Sequence, residues 1–413
     1  MPQKYPTPSP IFDTLENIVK QQPPITLSSR YANHDFIKAI EFLKQYHGSQ
    51  ATFIAYRREI ERLLQWSWLI AKKSVLVLKR IDIEDYIKFC QRPPKAWIAL
   101  KQVASRFITK NSERIPNPHW RPFTVQLSKV DAKQGVIPDK NKYSLSQEAM
   151  QAIFAIISSF YNYLLQENII QANPVAQIRQ KSKYFRKQQT ALKIPRLTQI
   201  QWQYVLAAAE EMAQQDPSTH ERTLFIITCL YLMYLRISEL TASKRWIPQM
   251  KHFLNDANGN WWFITVGKGN KQRYIAVSDD MLKAFKRYRT KQGLTALPSP
   301  NDNMPLILKL KGKGAISDVA VIRRLVQTCF DTAATMLRGK HLYRGEANNL
   351  SHATVHWLRH TGISDDINKR GRPIAHVRDD AGHSSIATTD RYNDITLQER
   401  YASAKHKKVK NEF

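Results

Sequence analysis

The chain has 413 residues and a formal net charge of +29, from 63 Lys and Arg against 34 Asp and Glu. Hydrophobic residues make up 43% and charged residues 23%, so the excess base sits on two or three folded domains, not on a disordered polycation. A folded surface this basic calls for a polyanion, and the longest apolar run, Leu224–Leu235, is far shorter than the roughly 20 residues a membrane-spanning helix needs.

The first 30 residues are rich in Pro, Ser and Thr and read as a flexible N-terminal arm, with no apolar signal region. Residues 31–178 read as a helical domain. Phe36, Ile40, Phe42 and Leu43 recur at helical spacing, and so do Phe53, Tyr56, Ile60, Leu63 and Leu64, with Arg57, Arg58 and Arg62 on other faces. Ser49 stands ahead of the second run as a cap. A short helix follows over 81–90. Another long one covers 144–169, with Ser144 and Gln147 spaced as a capping box. Between them, residues 91–143 hold Pro93, Pro94, Pro116, Pro118, Pro122 and Pro138, so this segment is expected to be an irregular insertion.

Residues 179–196 read as a basic linker. No acidic residue lies between Glu167 and Glu210, while Arg179, Lys181, Lys183, Arg186, Lys187, Lys193 and Arg196 repel one another unless phosphate lies nearby. DNA contact is the preferred reading over a solvated linker. Residues 1–180 carry a net +11 and residues 181–413 a net +18, so both halves share the charge and suggest a clamp around the polyanion.

From 197 to 413 helical patterns fill 198–216, 221–241, 279–292, 317–337, 351–368, 373–380 and 384–403. Two β-runs, 261–266 and 274–277, flank a Gly- and Lys-rich turn. The expected fold class is therefore mainly α, with a small antiparallel sheet in the C-terminal domain. Cys90, Cys229 and Cys329 are odd in number and far apart, which gives neither a disulfide framework nor a zinc pair, and points to buried thiols in a reducing cytoplasm.

Five places carry chemistry. Arg236 closes a long apolar run with Glu239 three residues on: an ion pair, or a guanidinium waiting for a phosphate. Gly267-Lys268-Gly269-Asn270-Lys271 lacks the phosphate-loop pattern and reads as a hairpin tip able to push a Lys into a groove. In SHATVHWLRHTG, His352, His356 and His360 share a helical spacing, but Arg359 among them and the missing carboxylate and Cys partners argue against a metal and for a shared anion. Gly382 permits a tight turn into a helix with His383 at its start, where backbone N–H groups also favour an anion. Tyr392 follows nine residues later; alone it reads as packing. Together, two Arg, one Lys and two His suit a pentavalent phosphorane without metal, and a Tyr supplies a nucleophile.

On these residues, 221–400 resembles the catalytic domain of the tyrosine recombinases, the phage integrase family. The pattern Arg…Lys…His-x-x-Arg…His/Trp…Tyr falls on Arg236, Lys268, His356, Arg359, His383 and Tyr392, in the contexts LRISEL, GKGNKQR, HWLRHTG and GHSSIATTDRY. Residues 31–178 resemble the family's helical core-binding domain less specifically, and the resemblance implies a two-domain, C-shaped clamp around DNA. Two positions depart: Tyr234 stands where the family usually has Gly, and Ala381 where it usually has Leu.

The resemblance implies a site-specific recombinase, with Tyr392 as nucleophile on a scissile phosphate, a 3′-phosphotyrosyl bond and a Holliday junction. It implies that Arg236, Arg359 and His383 hold the phosphate oxygens, Lys268 protonates the leaving 5′-oxygen, and His356 assists the proton of Tyr392. Glu239 and His360 support them from behind. Expected DNA contacts are Arg57, Arg58, Arg179, Lys181, Lys183, Arg186, Lys187, Lys271 and Arg273. No cofactor and no metal is expected. The expected partners are double-stranded DNA at a specific site and three further protomers, joined through the tail 393–413, in the bacterial nucleoid and not at a membrane. Length favours an integrase or excisionase of a mobile element; a Xer-like dimer resolvase and a type IB topoisomerase-like enzyme are the alternatives.

Overall fold

The computed structural model describes residues 5–18, 21, 31–179, 194–393, 401 and 404–405, without the side chains of Gln177, Arg179 and Lys268. It divides into two compact units, Met1–Ala191 and Leu192–Phe413. Each has its own hydrophobic core.

The N-terminal unit is built from α1 (Ala32–Lys44), α2 (Gln50–Trp66), α3 (Arg80–Gln91), the single turn α4 (Lys129–Lys133), α5 (Gln147–Gln166) and α6 (Ala176–Arg179). Phe36, Phe42, Leu43, Phe53, Ile60, Leu63 and Leu64 are buried, so the apolar stripes of α1 and α2 face inward and meet Phe160 and Leu164 of α5. The capping residue of α5 is Ser146, whose hydroxyl accepts from Ala149 N at 3.1 Å, two residues later than Ser144. Within residues 91–143, β1 (Ile98–Ala99) pairs in parallel with β4 (Phe123–Thr124), and β2 (Phe107–Lys110) with β3 (Glu113–Pro116) as a hairpin. This segment is part of the core, because Trp97, Ile98, Phe123 and Val125 are buried in it.

The N-terminal arm is corrected by the structure over its described part. Ile11, Phe12 and Ile18 are buried in the first unit. The Glu61 carboxylate accepts from the backbone N–H groups of Ile11 and Phe12, Gln65 donates to Ser9 O at 2.6 Å, and Trp97 Nε1 donates to Pro6 O at 3.0 Å. A run of Pro and Ser sets local stiffness; two large apolar side chains decide that this one is packed.

In the second unit α7 (Gln199–Gln215) and α8 (Pro217–Leu232) lie together, and α8 also packs against α9 (Asp279–Lys291), α10 (Val319–Arg338) and α12 (Val355–Asn368). That central position explains the unbroken apolar run of α8: Phe225, Ile226, Ile227, Cys229 and Leu230 are all buried. The short α11 (Arg344–Leu350) packs on α10 and α7, α13 (Ile374–Ala381) on α12, and the short α14 (Ile386–Asp390) on α13. The antiparallel sheet has three strands in sequence order, β5 (Phe253–Asn255), β6 (Trp261–Val266) and β7 (Gln272–Ala276), with Trp262 opposite Ala276 and Val266 opposite Gln272. The first strand is too short to carry a period-2 signal. Among the described residues no helix is long and apolar enough to cross a membrane.

Three expected helices change. The pattern over 221–241 ends as a helix at Leu232, because Tyr234 turns left-handed at φ +50°. The pattern over 351–368 becomes α12 only from Val355, which leaves His352 exposed in the preceding turn and off the face of His356 and His360. Over 384–403 the described helical residues are α14 and Tyr401, and residues 394–400 and 402–403 lie outside the described residues.

Candidate active site

The site is assembled where α8 ends, at the root of the β6–β7 hairpin, along α12 and past α13. Arg236 has extended backbone geometry and heads a single 3-10 turn, Ile237–Glu239. Glu239 Oε2 accepts from Arg236 N at 2.8 Å and Oε1 from Arg236 Nη1 at 3.1 Å. The remaining guanidinium edge reaches Gly382 O at 3.1 Å, and the side chain stays partly exposed. The carboxylate itself is 1% exposed.

Arg273, on β7, donates from Nη1 and Nη2 to the same carboxylate at 2.7 and 2.8 Å, and from Nε to Asp380 O at 3.0 Å. Burial works to raise the Glu239 pKa, but the bonds and charge of Arg273, aided by Arg236, hold it below the usual value. Glu239 is therefore the anion that fixes two guanidiniums. This corrects the expected DNA contact at Arg273: each of its three guanidinium nitrogens is bonded to protein, and the side chain lies behind Arg236 and Glu239. Gly267, at the hairpin root, lies against this pair; a Cβ there would stand 3.0 Å from Arg273 Nη1 and 3.3 Å from Glu239 Oε1. The hairpin tip is tight, with Gly267 N donating to Lys271 O at 2.8 Å, and Lys271 is exposed on it. Lys268 sits on this tip, and its side chain lies outside the described residues.

Arg359, on α12, is 2% exposed. It donates to Tyr234 O, to Ala381 O at 2.6 Å and to His383 Nε2 at 3.2 Å. Burial, then the neighbouring Arg236, pulls its pKa down to about 9. A guanidinium held by carbonyls and no carboxylate keeps its charge uncompensated, which suits an incoming anion. Close approach of α12 to α8 depends on Gly362, where a Cβ would fall 1.9 Å from Tyr231 O. That glycine stands in HWLRHTG without having been singled out; only the packing of two helices marks it.

His383 follows α13. Gly382, at φ +63°, ends that helix, with His383 N bonded to Arg378 O at 3.1 Å. This corrects the expected helix start at His383, since α14 begins only at Ile386. Arg359 can only donate, so His383 Nε2 accepts, and Nδ1–H donates to Thr389 Oγ1 at 2.9 Å. Burial, followed by the charges of Arg359, Arg236 and Arg273, lowers the His383 pKa to about 4, so the ring is neutral at neutral pH.

Tyr392 is 6% exposed and is held by two backbone bonds, to Thr389 O at 3.0 Å and from Asn368 Nδ2 at 2.8 Å. Its ring stacks on His383 with centroids 6.1 Å apart and meets the edge of His360 at 5.5 Å. His360 lies 4.3 Å from His356 and is anchored by Pro195 O at 3.0 Å. Burial raises the Tyr392 pKa against the opposing charges of Arg359, Arg391 and Arg236. Burial also lowers those of His356 and His360, the latter to about 4. The neutral imidazoles of His360 and His383 thus flank a protonated phenol, with His356 behind His360. Among the described residues no group of three His, Cys, Asp or Glu is placed to hold a metal ion.

The remaining expected DNA contacts divide. Arg57 is 9% exposed and donates to Asp13 O at 2.5 Å, so its guanidinium anchors the N-terminal segment instead of facing solvent. Arg58 is half exposed, with Nε on Glu59 at 2.6 Å. Lys181, Lys183, Arg186 and Lys187 lie outside the described residues, as does the side chain of Arg179.

Residues 195–399 match the phage integrase family. The chain is 27% identical over 280 residues to the tyrosine recombinase XerC of Xanthomonas axonopodis pv. citri, covering 67% of this chain and 76% of that one. It is 24% identical over 256 residues to XerC of Myxococcus xanthus, covering 60% and 73%. Among solved structures it resembles the XerH site-specific recombinase bound to a palindromic difH substrate in a post-cleavage complex, with a TM-score of 0.52 and 14% identity over 98% of this chain and 99% of that one. It also resembles the Tn1549 transposon integrase in complex with transposon right end DNA, with a TM-score of 0.51 and 16% identity over 89% and 98%. Those two likenesses concern the fold. With a catalytic domain that carries the family pattern and matches it over 195–399, the chain belongs to the phage integrase family, the tyrosine recombinases.

Proposed function

We propose that this protein is a site-specific DNA recombinase that cuts and rejoins duplex DNA through a covalent 3′-phosphotyrosine on Tyr392. The observation that carries the reading is the gathering of Arg236, Arg359, His360 and His383 around one buried tyrosine, with His356 against His360. A scissile phosphate entering this group takes, on its non-bridging oxygens, the N–H donors of Arg236 and Arg359 that are not given to protein carbonyls. Tyr392 attacks phosphorus in line: the bond from its phenolic oxygen forms, the bond to the 5′-oxygen breaks, and the leaving oxygen takes a proton from Lys268. The phenol, whose pKa burial holds up, loses its proton to the His356–His360 pair as it attacks. His383 donates to the phosphate once its proton moves to Nε2, with the Thr389 hydroxyl reversing to donate to Nδ1. The phosphotyrosine keeps the energy of the broken bond, so rejoining uses a 5′-hydroxyl alone and neither ATP nor metal.

The same reading extends to four protomers on two sites and a Holliday junction, and to action on nucleoid DNA in a bacterial cytoplasm. The role is that of an integrase or excisionase of a mobile element, supported by the insertion at 91–143 and by the packed N-terminal segment, which enlarge the first unit. A dimer-resolution role is the second reading, favoured by relatives that carry the names XerC and XerD. The test is a nicked suicide duplex built on sites recovered by sequencing library DNA that the protein captures covalently. Wild type is expected to accumulate the adduct in EDTA, and Tyr392→Phe to bind the duplex without forming it. An adduct with Tyr392→Phe sinks the assignment. Captured sites flanking the gene as repeats support the integrase role, a single chromosomal site the resolvase role, and relaxation of supercoils without site preference a topoisomerase.

A further inference from the structure

Tyr234 is a non-glycine residue in the left-handed region, at φ +50°, and its side chain is 1% exposed. That backbone is unfavourable for an L-residue, because its Cβ crowds the following carbonyl oxygen. It is the residue that ends α8, and it turns the chain so that its carbonyl meets Arg359 and the chain reaches Arg236 two residues later. Its phenol is tied at the far end. The hydroxyl donates to the Asp366 carboxylate and accepts from Arg372 Nη1 at 3.0 Å. Arg372 also bonds Asp366 Oδ2 at 2.8 Å and Asp380 Oδ2 at 2.7 Å. The main-chain oxygen of Asp380 takes Arg273 Nε, Arg273 takes Glu239, and Glu239 takes Arg236. A closed ring of polar contacts thus runs from residue 234 around the back of the site to residue 236.

We infer that Tyr234 is a positioning residue: its buried hydroxyl, locked by Asp366 and Arg372, holds residue 234 left-handed so that its carbonyl fixes Arg359 for the scissile phosphate. Removing the hydroxyl leaves Asp366 satisfied by Arg370 and Arg372, so the carboxylate does not become a buried orphan. What is lost is the anchor that offsets the backbone cost, and residue 234 relaxes toward negative φ, carrying its carbonyl off Arg359. Tyr231 supplies an internal control. Its hydroxyl donates to Asp365 Oδ2 at 2.8 Å in a comparable buried pair, but its carbonyl does not hold Arg359.

The inference rests on the recombinase reading for its kinetic arm and on geometry for the other. In the full chain, Tyr234→Phe is expected to slow single-turnover adduct formation on the nicked suicide duplex about tenfold, with the Kd for that duplex changed less than about twofold. Tyr231→Phe is expected to cleave at the wild-type rate. In an Arg359→Lys background, where the fork is gone, Tyr234→Phe is expected to add no further slowing. A wild-type rate for Tyr234→Phe overturns the inference, as does equal slowing in the Arg359→Lys background or equal slowing by Tyr231→Phe. A crystal structure of Tyr234→Phe gives the arm that needs no activity. Residue 234 still left-handed and bonded to Arg359 overturns the inference, whereas a displaced carbonyl supports it even if wild type forms no adduct and the recombinase reading itself fails.

Discussion

The buried arginines of the N-terminal unit and those of the candidate site are used in opposite ways. In the N-terminal unit Arg62 is divided between Pro122 O at 2.8 Å, the Glu59 carboxylate at 2.9 Å and the face of Phe123. Arg106 pairs with Glu61, donates to Phe12 O and lies over Trp120, and burial followed by the charge of Arg57 pulls its pKa down to about 8. Each of these cations already has a protein anion or π-face. In the C-terminal unit one carboxylate, Glu239, serves both Arg236 and Arg273, and Arg359 has carbonyls alone as acceptors apart from His383. A guanidinium with a matched carboxylate is structure; one short of an anion is a receptor for phosphate. Counting basic residues cannot separate the two, because the difference lies in what each is folded against.

The sharpest way to break this contrast is Glu239→Gln. If one carboxylate organises both guanidiniums, its loss is expected to cost about 3–5 kcal/mol in urea unfolding and to suppress adduct formation at least about a hundredfold. A variant that unfolds normally and still cleaves would show that Arg236 and Arg273 are placed by packing. The counterpart is Arg57→Ala, expected to lower stability by about 1–3 kcal/mol and to speed proteolysis near residue 13 while leaving DNA affinity almost unchanged. A large drop in affinity with normal stability would return Arg57 to the DNA surface.

The histidines sharpen the contrast through pH. His383 and His360 titrate near 4 in the folded chain against about 6.5 in an unfolded one, with burial the leading cause. Between those values the unfolded chain binds more protons, so stability is present in full above about pH 6.5 and is lost as pH falls toward 4. The thermal midpoint is expected to fall over that window, and His383→Asn to flatten the fall; an unchanged slope would mean that His383 is solvated. The smallest effect belongs to Lys271→Ala at the exposed hairpin tip. It is expected to weaken DNA binding a few-fold and to reduce the slope of log affinity against log salt by about 1, as loss of one phosphate contact does. An unchanged slope would remove Lys271 from the interface.

Much of the site was legible because its residues lie in short motifs. Arg236 with Glu239, His356 with Arg359, and His383 with Tyr392 are each separated by a fixed number of residues, and the fold brings them together. The supporting residues were not legible. Arg273 reads as one more hairpin cation, and nothing local tells that it faces Glu239. Gly362 reads as a helix glycine, and Arg372, Asp366 and Asp380 as ordinary surface charges. Apolar periodicity gave most of the helices but ran α8 to residue 241, because Tyr234 is an unusual left-handed terminator. It also missed β5, whose three residues are too few to show alternation.

By itself the amino-acid sequence determined the basic character, the mainly helical class and the spacing of the chemical groups, since charge, period and motif are local properties of a chain. Only the tertiary structure decided which arginines are short of an anion, that residues 5–18 pack into the first unit, and that residue 234 is turned toward Arg359. Those outcomes depend on partners 40 to 140 residues away, as in Arg57 with Asp13 and Tyr234 with Arg372, and burial sets their energies.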